Sequence, residues 1–121
     1  MTPKVIRRNV SQEYFTEERC HILELSNSSH DAGLSIARAR VEPGVTTALH
    51  RVADTVERYV ILSGCGRVDV EGLDPANVEE NDVVIIPAGA TQRIANTGDV
   101  DLVFLAICTP RFQQTCYQHL E

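Results

Sequence analysis

The sequence predicts an all-β fold, either a sandwich or a barrel. Short runs rich in β-branched residues recur at near-regular spacing, and clusters of Gly, Pro, Asn and Asp separate them. The chain has 121 residues, which is one domain's worth. A chain of that length buries roughly two-thirds of the surface its unfolded form exposes.

The first 33 residues read as an N-terminal arm with edge strands. Residues 5–6, Val5 and Ile6, suit an edge strand, and residues 11–19 are polar enough for a loop or a single helical turn. Residues 20–25 alternate as a strand does: Cys20, Ile22 and Glu24 share one face, and His21, Leu23 and Leu25 share the other. His21 therefore sits with apolar neighbours. It reads as a partly buried, hydrogen-bonded histidine, with a ligand role as the alternative. His30 lies among turn formers and is expected in solvent.

Residues 34–109 form the expected core. Residues 34–41 make a strand with Ser35, Ala37, Ala39 and Val41 on one face and Leu34, Ile36, Arg38 and Arg40 on the other. Two arginines on one strand face need partners. Either they pair with carboxylates on the outer surface or at a subunit interface, or they point inward and hold an anionic ligand.

The richest stretch runs from Gly44 to Gly64. Pro43 and Gly44 mark a turn, residues 46–52 suit a short strand, Ala53, Asp54 and Thr55 break it, and residues 56–63 form a β-branched-rich strand. The pattern reads as a hairpin. His50 shares a face with Ala48 and Val52, and Glu57 shares one with Tyr59 and Ile61, so an imidazole and a carboxylate can converge.

Further strands are expected over residues 67–70, 83–86, 91–96 and 102–108, the last being the most hydrophobic. Residues 72–77 read as a turn. In the tail, residues 110–121, Phe112, Cys116 and Leu120 recur at helical intervals, compatible with a short C-terminal helix. His119 is expected to be exposed.

Two motifs resemble those of the cupin superfamily. The first, G-x5-H-x-H-x3/4-E-x6-G, is matched by Gly44, His50, Glu57 and Gly64, with Val52 where the second His stands. The second, G-x5-P-x-G-x2-H-x3-N, is matched by Asn81, Pro87, Gly89, Gln92 and Asn96, with Asn for the first Gly and Gln for the His. The resemblance covers roughly residues 34 to 109 and implies a small jelly-roll β-barrel.

His50, Glu57 and Gln92 offer an imidazole, a carboxylate and an amide oxygen, a set able to bind a divalent ion such as Fe, Mn, Ni or Zn with waters completing the shell. Such an ion would support isomerase, lyase or dioxygenase chemistry. Without metal, His50 and Glu57 form an acid–base pair that Tyr59 can assist by donating or stacking. Similarity to the metal-free sugar epimerases of the superfamily is in residue types alone. A buried pair that merely satisfies itself is the remaining reading. Three functions stand open: a metal-dependent enzyme acting on a small polar metabolite, a metal-free protein that binds a small ligand such as a sugar or carboxylate without turnover, and a non-catalytic interaction domain.

Eleven basic residues against seventeen acidic give a net charge of −6, which argues against a nucleic-acid partner. No stretch approaches the ~20 apolar residues of a membrane span, and the first residues lack a signal-like apolar run, so a cytoplasmic protein is expected. Cys20, Cys65, Cys108 and Cys116 show no zinc-type spacing and are expected as free thiols. Cys108 reads as a small buried hydrophobe or as a thiol lining the pocket. A homodimer is expected, with the N-terminal segment lent to a partner, since small jelly rolls expose strand edges.

Overall fold

A computed structural model describes all of residues 1–121. Its eleven strands are β1 (Tyr14–Phe15), β2 (His21–Ser26), β3 (Ser35–Val41), β4 (His50–Val52), β5 (Val56–Ser63), β6 (Cys65–Val70), β7 (Ala76–Glu79), β8 (Val83–Ile86), β9 (Gln92–Asn96), β10 (Leu102–Thr109) and β11 (Tyr117–His119). They form two antiparallel sheets, ordered β1-β2-β3-β10-β5-β8 and β11-β4-β9-β6-β7. From β4 to β10 the chain changes sheets at every step except β6 to β7, which closes the pair into a small jelly-roll barrel, as expected. The most hydrophobic strand, β10, takes the middle of its sheet between β3 and β5.

The inner faces obey the period of two. Val41, Ile61, Ile86, Leu102 and Phe104 from one sheet meet Val68, Val70 and Ile94 from the other in one core. Each such side chain contributes about 1.5–3 kcal/mol by leaving water. Inner side chains shrink along paired strands: β3 runs Val41, Ala39, Ala37, Ser35 and β10 runs Leu102, Phe104, Ala106, Cys108. The large members fill one end of the barrel. The small ones leave a cavity of about 240 Å³ at the other.

Turn chemistry explains one departure from the motif. Asn81 has φ +76°, in the left-handed region that Gly favours and Asn tolerates, so Asn in place of Gly keeps the turn before β8. Gly64, at φ +83°, has no such latitude, because a Cβ there would lie 2.6 Å from the Asp101 carbonyl oxygen.

Five expectations are corrected. Residues 46–63 do not form a hairpin: β4 belongs to the five-stranded sheet and β5 to the six-stranded one, so the Ala53 to Thr55 break carries the chain across the barrel. The first of these strands is also shorter than expected, with only Thr46 forming an isolated bridge to Ala95 ahead of β4. No C-terminal helix forms; a 3-10 turn at Gln114–Cys116 leads into β11, which pairs Tyr117 with Val52 and His119 with His50. Tertiary pairing wins there because β4 meets β9 only at His50 opposite Gln92, leaving an edge to cover, while so short a segment nucleates a helix poorly. Val5 and Ile6 join no sheet; β1 takes that edge, and β7 forms where turn formers masked a strand.

Candidate active site in the barrel cavity

Elements from both sheets deliver the cavity's polar groups. His50 and Val52 stand on β4 with Ala48 just ahead of it, all three buried, and Glu57 and Tyr59 stand on the inner face of β5 opposite. Glu24 reaches in from β2, and Glu17 and Glu18 from the loop between β1 and β2. Tyr117 of β11 stacks on His50 with ring centroids 5.3 Å apart and planes at 27°.

One hydrogen bond fixes the state of His50. Its Nδ1 lies 2.8 Å from the Ala48 carbonyl oxygen, which can only accept, so Nδ1 carries the proton. Burial pushes the His50 pKa down, against the Ala48 bond and the Glu57 charge, so the imidazole is neutral near pH 7. Its Nε2 then holds a lone pair, 3.8 Å from Glu18 Oε2.

The carboxyl groups are pushed the other way. Burial raises the Glu57 pKa, offset in part by His50, the Gln92 amide and the Cys108 thiol. Its Oε1 is buried and has no hydrogen-bond partner. Glu18 is pushed up to about 7, first by burial and then by the Glu17 charge. A neutral base and carboxyl groups held near or above their ordinary range thus share one cavity.

Gln92 is engaged elsewhere. It is only 1% exposed and does not line the cavity; its Oε1 accepts the Tyr59 hydroxyl, and its amide faces Glu57. The Tyr59 ring leans on Phe104 at 4.5 Å. A divalent ion therefore fits these residues poorly. One imidazole nitrogen is free, Val52 offers nothing, the amide oxygen is occupied, and no three His, Cys, Asp or Glu side chains stand close enough to share an ion.

The other candidates fall outside the site or along its wall. Arg38 and Arg40 face away from the cavity: Arg40 Nη2 lies 2.6 Å from Glu13 Oε1, Arg40 Nη1 3.2 Å from Asp101, and Arg38 Nη2 3.3 Å from Glu13 Oε2. The Arg40 hydrogen bond holds the Glu13 carboxyl below its usual range. His21 packs edge-on against Phe15 and lies 3.5 Å from Glu42, His30 Nε2 donates to the Thr2 carbonyl, and His119 is exposed on β11. All four cysteines are free; Cys20 and Cys108 are buried and line the cavity, so Cys108 is both a small buried side chain and a thiol on the pocket wall.

Sequence reasoning missed Glu18, Glu24 and Tyr117. Glu24 left a signal, a carboxylate on the same strand face as Cys20 and Ile22. Glu18 left none, because its place depends on long-range ties: the Ala48 amide donates to the Glu18 carbonyl at 3.0 Å and Arg19 Nε to the Thr46 carbonyl at 2.9 Å.

The chain's likenesses agree with the fold. The family model described as "Cupin domain" matches residues 37–108. An oxalate-binding protein of Thermotoga maritima is 33% identical over 90 residues, covering 74% of this chain and 73% of the relative. An uncharacterised protein of Methanocaldococcus jannaschii is 29% identical over 125 residues, covering 100% of this chain and 99% of its own. Among solved structures, a predicted oxalate decarboxylase from Thermotoga maritima superposes with a TM-score of 0.77 at 25% identity, over 88% of this chain and 99% of that one.

Proposed function

The chain belongs to the cupin family, and we propose that its barrel cavity is a metal-free acid–base site for a small polar metabolite. The observation that carries this reading is the His50 tautomer: Nδ1–H is spent on Ala48, which leaves Nε2 as a base beside carboxyl groups that tend to keep their protons. A base and an acid on opposite walls can take a proton from one atom of a ligand and return one to another. That is the elementary step of an isomerase or a lyase. In this reading His50 accepts the proton at Nε2, Glu57 or Glu18 donates, and Tyr59 with Gln92 positions Glu57.

The metal-dependent alternative keeps His50, Glu57 and Gln92 as ligands and Fe, Mn, Ni or Zn as the ion. Breaking the Tyr59–Gln92 bond would be its first requirement, and the buried amide makes that costly. The oxalate of the Thermotoga relative does not transfer simply, because no Lys or Arg lines this cavity to meet a dianion. We also propose a cytoplasmic homodimer. Free thiols suit a reducing compartment, and the N-terminal arm leaves Val5 75% exposed for a partner to cover.

Nitrogen-15 NMR of the His50 ring tests the acid–base reading. A neutral Nδ1–H imidazole at neutral pH, titrating below the ordinary histidine range, is expected. A doubly protonated ring at that pH would contradict it.

A further inference from the structure

We propose that the ligand is a small organic cation whose charge lies among Glu18, Glu24 and Glu57 and ionises Glu24 and Glu57 on binding, leaving Glu18 as the proton donor, with its apolar part against Tyr117 and Phe104. The inference rests on the acid–base reading above and names the chemical class of its ligand.

Charge is distributed unevenly across this barrel. Four glutamates line the cavity, Glu17, Glu18, Glu24 and Glu57, and no lysine or arginine does. Arg38 and Arg40, on the strand whose other face lines the cavity, point outward and neutralise Glu13 and Asp101 instead. No cationic side chain inside the cavity balances the acidic wall; Arg8 acts on Glu24 from outside it. His50 cannot do so, since its one ring proton is already donated to Ala48.

The second observation is an unmet hydrogen bond. Glu57 is nine-tenths buried, at 9% exposure, lines the cavity, and its Oε1 has no partner. A buried carboxylate oxygen without a donor is costly, so the site lacks a positively charged or N–H-bearing group that a ligand can supply. A bare metal ion answers the charge but not the geometry, because no three ligating side chains converge on one point. An organic cation spreads its charge over several atoms and needs no such convergence. Tyr117 and Phe104 also line the cavity and give the ligand's apolar part an aromatic wall.

Three ring compounds of one size and different charge test this: benzamidinium, benzamide and benzoate, each titrated calorimetrically into the full-length protein. Benzamidinium is expected to bind about tenfold or more tighter than benzamide, the effect of one charge-assisted hydrogen bond, and benzoate to give no saturable heat. Glu57→Gln and Glu24→Gln are each expected to bring benzamidinium towards parity with benzamide, and two variants guard against one that fails to fold. Benzamide or benzoate binding as tightly as benzamidinium, or benzamidinium giving no saturable binding, would overturn the ligand class while leaving the acid–base reading in place. Stoichiometric Mn(II) or Zn(II) binding that disappears in His50→Ala would overturn the acid–base reading itself, and the cation proposal with it.

Discussion

The Tyr59 hydroxyl donates to the Gln92 side-chain carbonyl, joining β5 of one sheet to β9 of the other at the wall of the cavity. Both residues are buried, so neither group has water as a substitute partner. The bond ties the two sheets together and takes the amide oxygen out of any ligand set.

Tyr59→Phe leaves that carbonyl without a donor inside the barrel. An unsatisfied buried acceptor costs about 1–3 kcal/mol. Urea unfolding of the variant should show a loss in that range with an unchanged slope, and no loss would mean the bond is not holding the sheets.

Glu18 ties stability to pH. Its folded pKa of about 7 lies above the ordinary carboxylate value, so its contribution is fully present below about pH 4.5 and is lost as pH rises through about 7. The groups facing it are Glu17, which raises the value, His119 and Tyr117, which lower it, and the neutral His50. Its side chain is 25% exposed, which moderates the effect. Glu18→Gln should therefore be more stable than the wild type by about 2 kcal/mol near pH 8, with the gap closing below about pH 5. Denaturation at the two pH values checks this, and a gap that widens on acidification would reverse the assignment.

The N-terminal arm tests the dimer proposal. Deleting residues 1–9, all exposed, should shift the sizing-column profile towards monomer. An unchanged dimer would place the interface elsewhere, for instance on the outer face of β8, where Val83 and Ile85 are exposed.

How much of this could be read from the chain alone follows from where the information lies. Period-two alternation put His50, Glu57 and Tyr59 on faces able to converge and split β3 into a small-residue face and a face carrying Arg38 and Arg40, because those patterns are local, but it left open which β3 face points inward. It could not say that β4 and β5 sit in different sheets, since a three-residue break serves a hairpin and a sheet change equally well. Nor could it find β11 or the loop that delivers Glu18, whose positions are set by pairing with residues far along the chain. The Gln92 substitution was visible, but what its oxygen does depends on Tyr59, thirty-three residues away.

The most direct test of the central claim is elemental analysis of protein purified without a nickel column or chelator, run beside His50→Ala. The account predicts far less than one equivalent of iron, manganese, nickel or zinc in both proteins, unchanged after incubation with excess metal and desalting. Near-stoichiometric metal in the wild type, lost in His50→Ala, would contradict it.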